Sequence, residues 1–136
     1  MKPLTLDECL LLECAEEYDC PLWEAAWIFT TDKSERGERA IRKLVENNLV
    51  VFSRTKSWLE EIITPLTTEE QQQVLDDLHE HEDWSPCEDT NKSFISFYIT
   101  AKGKDLLHHD VELGATLRAH AKVRAAREGE DRWLID

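Results

Sequence analysis

The chain of 136 residues is short of the residues that interrupt regular structure, with 4 Gly and 4 Pro in all. That scarcity points to long elements, mostly helical, and argues against a loop-rich scaffold. No apolar run approaches the roughly 18 residues that a membrane-spanning helix needs. The opening residues Met1-Lys2-Pro3-Leu4-Thr5 contain no apolar signal segment. No membrane association is expected, and a cytoplasmic location is. The 4 cysteines, Cys9, Cys14, Cys20 and Cys87, form no Cys-x-x-Cys pair. Reduced thiols are therefore expected. Cys9 and Cys14 fall inside an apolar helical stretch and read as small buried hydrophobes. There is no glycine-rich phosphate loop, Gly-x-Ser-x-Gly elbow or His-Glu-x-x-His. Among 29 acidic residues, paired carboxylates carry little information. Neither catalysis nor a cofactor is expected.

Positive charge is scarce too, and unevenly spread. The net charge is −13, from 16 Lys and Arg against 29 Asp and Glu. Residues 1–32 hold one Lys against eight acids, and residues 59–92 one Lys against eleven. Between them, residues 33–58 hold seven basic residues against three acids. Residues 93–136 balance at seven each. One basic segment thus lies between two acidic ones.

Apolar spacing predicts a first helix over 5–18, with Thr5 and Glu8 as a capping box. Pro21 fits the first turn of a second helix over 21–29, in which Trp23 and Trp27 share a face as core or subunit interface. A third helix over 33–47 carries Gly37, Ala40, Ile41, Leu44 and Val45 as its inward stripe. Asn47-Asn48 ends it, because Asn tolerates the left-handed backbone of a helix terminus. Leu49 to Phe52 reads as a buried strand, and residues 93–100, rich in aromatic and β-branched side chains, as another. The two are expected to pair antiparallel. Between them Thr67 and Glu70 form a second capping box, leading a helix with Val74, Leu75 and Leu78 on one face. Trp58 and Trp84 flank this segment and could fasten it to the body. A long closing helix is expected over 102–127, with residues 128–136 as a tail.

The run Arg39-Ala40-Ile41-Arg42-Lys43-Leu44-Val45-Glu46-Asn47-Asn48-Leu49-Val50 resembles the recognition helix and first wing strand of the winged helix-turn-helix superfamily. Phe97-Tyr98-Ile99-Thr100-Ala101-Lys102-Gly103-Lys104-Asp105-Leu106-Leu107 is similar to the second wing strand and closing helix of MarR-like and PadR-like regulators. The resemblance spans residues 5–54 and 93–125. It implies a mainly α, α+β domain over 1–127, with a two- or three-stranded antiparallel wing interrupted by a long acidic insertion, 56–92. It also implies a homodimer that binds double-stranded DNA and regulates transcription. The insertion departs from the family pattern, since wings that touch DNA are generally basic.

The inward stripe of the third helix sends Arg36, Arg39 and Lys43 outward, with Lys33 and Ser34 at its start. Arginine can pair with guanine edges and lysine with phosphates in a major groove. The pairs Glu35–Arg39 and Glu38–Arg42, acid first at i, i+4, would equally support a plain solvated helix. Both readings stay open at this point. The alternative function is a winged-helix protein-interaction module, or an acidic nucleic-acid mimic, with no DNA binding. Leu113 and Leu117 are the expected dimer contacts, joined by Trp133 and Leu134. His79, His81, Glu82, Asp83 and Cys87 could be gathered into a metal site, but their spacing matches no standard zinc module. A surface helix end that happens to carry two histidines is the preferred reading, and no metal is expected there.

Overall fold

The chain's first helix starts where Thr5 and Glu8 exchange hydrogen bonds. The Thr5 hydroxyl accepts the Glu8 N–H at 3.2 Å, and a Glu8 carboxylate oxygen accepts the Thr5 N–H at 3.3 Å. Two otherwise unpaired backbone donors are satisfied at once. Helix α1 (Leu6–Glu17) follows and buries Cys9, Leu10, Leu11, Leu12 and Ala15. The computed structural model describes residues 3–29, 33–56, 63–86, 89 and 92–126. Strand β1 (Cys20–Pro21) runs directly into α2 (Leu22–Trp27). The two tryptophans of α2 separate, against expectation. Trp23 is buried, its ring 4.8 Å from that of Phe94, whereas Trp27 is 51% exposed. Helix α2 has only six residues, and Trp27 closes it a full turn beyond the residue that meets Phe94.

Helix α3 (Lys33–Glu46) presents the expected stripe. Gly37, Ala40, Ile41 and Leu44 are buried and Val45 is half-buried. A Cβ at Gly37 would lie 2.8 Å from the Ala25 carbonyl oxygen, so glycine is what lets α3 pack closely on α2. Asn48 ends the helix with φ 60°, and the Asn47 side chain donates to the Lys43 carbonyl at 2.8 Å.

Strands β2 (Val50–Thr55), β3 (Ile63–Pro65) and β4 (Phe94–Ile99) complete an antiparallel sheet in the order β1-β4-β2-β3. The expected pairing of β2 with β4 is present, from Val50 opposite Ile99 to Thr55 opposite Phe94. Val50, Phe94, Phe97 and Ile99 enter the core, while Val51 and Tyr98 are half-buried. Four strands stand where two or three were expected, because β1 and β3 extend the central pair at both edges. Ser96 bridges β4 to β2, its hydroxyl 2.8 Å from that of Ser53 and 2.9 Å from that of Thr55.

The described part of the acidic insertion packs on the body. Helix α4 (Thr68–Asp76) begins at the expected Thr67–Glu70 capping box, and Val74 and Leu78 are buried beneath it with Leu75 half-buried. Gln71 reaches the β2 backbone. Its carboxamide accepts from Phe52 N–H at 2.8 Å and donates to the Phe52 carbonyl at 2.6 Å, standing in for a neighbouring strand. Two short 3₁₀ turns follow, Leu78–Glu80 and Glu82–Trp84. Trp84 fastens this end as expected, its indole N–H on the Leu78 carbonyl at 2.5 Å and its ring near Gly37. Trp58 lies outside the described residues.

The closing helix is not continuous. It divides into α5 (Ala101–His109) and α6 (Val111–Ala126), because Asp110 takes an extended backbone (ψ 120°) and its carboxylate caps Leu113 N–H at 2.8 Å. Thr100 secures the start of α5. Its hydroxyl accepts from Gly103 N–H at 3.0 Å and donates to the Asn48 carbonyl at 2.7 Å. A Cβ at Gly103 would collide with the Leu49 carbonyl oxygen. The fold is α+β, with six α-helices and a four-stranded antiparallel sheet among the described residues. None of the described helices is long and apolar enough to cross a membrane.

Candidate functional site

Five of the seven basic residues of segment 33–58 fall on α3, and they are not equivalent. Arg39 and Lys43, four residues apart, are both exposed. Among the described residues neither joins an ion pair, and the expected Glu35–Arg39 pair is not formed. Arg36 differs from expectation. It turns back to α1, where its Nε and Nη2 donate to the two Asp7 carboxylate oxygens at 3.2 and 2.8 Å. Its guanidinium also lies 4.4 Å from the centre of the Phe29 ring, leaving the side chain 13% exposed. Asp7, in the acidic first turn of α1, lies within reach of this guanidinium, and a planar fork fits a carboxylate better than it fits water. The side chains of Lys33 and Ser34 lie outside the described residues.

The expected Arg42–Glu38 pair is present at 3.2 Å, and Glu38 also receives His79 from the insertion at 2.9 Å. Burial opposes ionisation of Glu38, but hydrogen bonds from His79 and Arg42 outweigh it and hold the carboxyl below its ordinary range. The hydrogen bond and charge of Glu38 raise the His79 imidazole in return. His79 therefore faces α3. The His81 ring accepts from Asp83 N–H at 3.1 Å, and the buried Asp83 carboxylate accepts from Ile95 N–H at 2.8 Å. The histidines are thus engaged apart from one another, and Cys87 lies outside the described residues.

Of the expected dimer contacts, Leu113 is 4% exposed and belongs to the chain's own core. The break at Asp110 redirects α6 so that it packs along α1, which turns Leu113 inward. Leu117 is half-buried against the same core, and Trp133 and Leu134 lie outside the described residues. Val111, 80% exposed, and Val123 remain on the outer side of α6.

One cluster was not anticipated. Cys14 from α1, Cys20 from β1 and Glu24 from α2 bring two sulfurs and a carboxylate oxygen within 4.8 Å of one another. The sulfurs are 3.0 Å apart, and the Cys20 sulfur is 3.5 Å from Glu24 Oε2. The Tyr18 hydroxyl donates to the same carboxylate and lies 3.7 Å from the Cys14 sulfur. The hydrogen bond with Cys20 lowers the Cys14 thiol from its ordinary range, and burial pushes Cys20 well up. Burial and the bond to Glu24 likewise raise Tyr18. The sequence signal was available in the spacing of six and four residues across the turn from α1 into α2. It is obscured because Cys14 falls on an apolar position of α1 and a thiol there passes for a small hydrophobe. Cys9 does fit that reading, being wholly buried, with its thiol pushed up to about 11 mainly by burial.

No protein-family model, curated protein or solved structure matches the chain.

Proposed function

We propose that the chain is a winged-helix protein that binds double-stranded DNA through α3 and regulates transcription. The observation that carries this reading is the exposed Arg39–Lys43 pair, a cationic strip without acidic partners among the described residues in a chain of net charge −13. Three further features support it. Helices α1, α2 and α3 precede an antiparallel β2–β4 pair, the order that the resemblance implies. Gly37 packs α3 closely on α2, and Arg39 and Lys43 lie exposed on the other side of the helix, where a groove would meet them. With 14 residues, α3 is about 21 Å long, enough to cross a major groove. Arg39 would read base edges and Lys43 would hold a phosphate, with Lys33 and Ser34 at the leading end. A homodimer formed through the outer side of α6 would present two such helices, and a cytoplasmic location suits reduced Cys14 and Cys20.

A second reading has its own observation. His79 brings the acidic insertion against α3 at Glu38, adding negative charge beside the strip. That arrangement favours a protein partner over a phosphate backbone. Titration of the intact protein with a mixed duplex pool in low salt separates the two. Saturable binding that Arg39→Ala weakens by roughly 1–3 kcal/mol supports the DNA reading. No measurable affinity, with the dimer intact by light scattering, transfers the assignment to the protein-interaction module.

A further inference from the structure

We propose that Cys14, Cys20 and Glu24 form a binding site for a thiophilic divalent cation of the zinc type. Zinc takes thiolate sulfur at about 2.3 Å and carboxylate oxygen at about 2.0 Å in tetrahedral geometry. These lengths require sulfurs about 3.8 Å apart and a sulfur–oxygen separation of about 3.5 Å. The Cys20 sulfur already stands 3.5 Å from Glu24 Oε2. The two sulfurs, at 3.0 Å, would open by about 0.8 Å to admit the ion, and the Cys14 sulfur and the Glu24 carboxylate, already within 4.8 Å, would settle at the same tetrahedral lengths. Cys14 is half-buried on the last turns of α1, so its side chain has room to make that movement.

The donor set selects the class of ion. Two sulfurs exclude calcium and magnesium, which take oxygen shells, and favour zinc or its cobalt substitute. Binding releases the two thiol protons to solvent, and the cation offsets two of the three negative charges then held by the thiolates and the carboxylate. The surroundings also favour a cation, since residues 1–32 hold eight acids against one Lys. A carboxylate oxygen has two lone pairs, so Glu24 can ligate while still accepting from Tyr18. Tyr18 is a positioning residue here, aiming the Glu24 carboxylate at the ion. Three protein ligands leave the fourth tetrahedral position to water. The three ligands come from three consecutive elements. A bound ion would tie the end of α1 to the start of α2, the helix on which α3 packs.

The test is a cobalt titration of the full chain, reduced with a phosphine under nitrogen. The proposal expects one equivalent bound, with thiolate-to-cobalt charge-transfer absorption in the near ultraviolet and displacement by zinc. Cys14→Ser and Cys20→Ser should each lose or halve that absorption. Glu24→Gln, at a half-buried position whose change spares the core, should weaken binding while circular dichroism shows the fold intact. Tyr18→Phe should weaken binding about 10–100-fold and leave the charge-transfer intensity unchanged. Absorption that persists when both Cys14 and Cys20 are Ser would overturn the proposal, since Cys9 or Cys87 would then be the ligand. A cobalt titration with no thiolate band would overturn it as well. So would a Cys14–Cys20 disulfide found by peptide mapping after purification in air with zinc present, because bound zinc should keep both thiols reduced.

Discussion

Arg36 on α3 and Asp7 on α1 form a two-pronged ion pair, with both carboxylate oxygens engaged at 2.8 and 3.2 Å. The buried stripe of α3 sets which side faces out, and this pair takes Arg36 off that side. Hydrogen bonds to charged groups contribute about 1.5–3 kcal/mol, and this guanidinium also covers Phe29. Arg36→Ala is therefore expected to lower stability in urea by about 1.5–3 kcal/mol. Any loss of duplex affinity should vanish once unfolded protein is accounted for. An unchanged urea midpoint, together with weakened duplex binding, would instead return Arg36 to the outward face.

Gln71 takes the place of a strand beside Phe52, satisfying both of its free backbone groups. Gln71→Ala would leave that N–H and carbonyl without their partner and is expected to cost about 1–3 kcal/mol. Amide hydrogen exchange at Phe52 should speed up more than at Phe97. Equal protection in variant and parent would show that the carboxamide contributes nothing.

Gly103 lies where the start of α5 presses on the backbone of Leu49. A Cβ there would meet the Leu49 carbonyl and come within 2.7 Å of the Ile99 side chain. Gly103→Ala is expected to destabilise by about 1–3 kcal/mol, as overpacking does, despite alanine's better helix propensity. A melting temperature at or above that of the parent would refute the close approach.

The contact between Glu38 and His79 makes the attachment of the insertion depend on pH. His79 is held above the ordinary imidazole value of 6.5, so its contribution is complete below that pH and is lost as pH rises through the raised value. Glu38 is held below the ordinary 4.5, so its contribution is present above that pH and is lost as pH falls through the lowered value. Both act together between about pH 4.5 and about pH 6.5. The difference in melting temperature between the parent and His79→Gln should be widest in that window and shrink on the alkaline side. A difference that stays constant from about pH 5 to about pH 8 would show that the pair does not form in solution.

Local signals in the sequence were the ones that could be read. Thr5 with Glu8 and Thr67 with Glu70 announce helix starts because each box is complete within four residues. The stripe from Gly37 to Val45 follows from periodicity, as do the two strands near 49–52 and 93–100, whose antiparallel pairing the winged-helix resemblance adds. What periodicity cannot convey is where a long side chain turns. Arg36 has the right spacing to face outward, yet a carboxylate on α1, 29 residues away, draws it inward. The single closing helix was expected because Asp110 sits between two apolar helical runs. Aspartate is tolerated in a helix but preferred as a cap, and here the cap prevails. The thiol cluster was missed for a related reason, since its members belong to three short elements brought together by a turn.

The dependence of duplex affinity on salt tests the role of α3 most directly. Each phosphate neutralised adds about −0.9 to the slope of log affinity against log salt. For a duplex selected from the pool and titrated between ~50 and ~200 mM salt, Lys43→Ala should reduce the magnitude of that slope by about 1. Arg39→Ala should weaken binding of that duplex by about 1–3 kcal/mol and relax its sequence preference. Isotherms of Lys43→Ala and Arg39→Ala that superimpose on the parent's at both salt concentrations would contradict DNA recognition by α3.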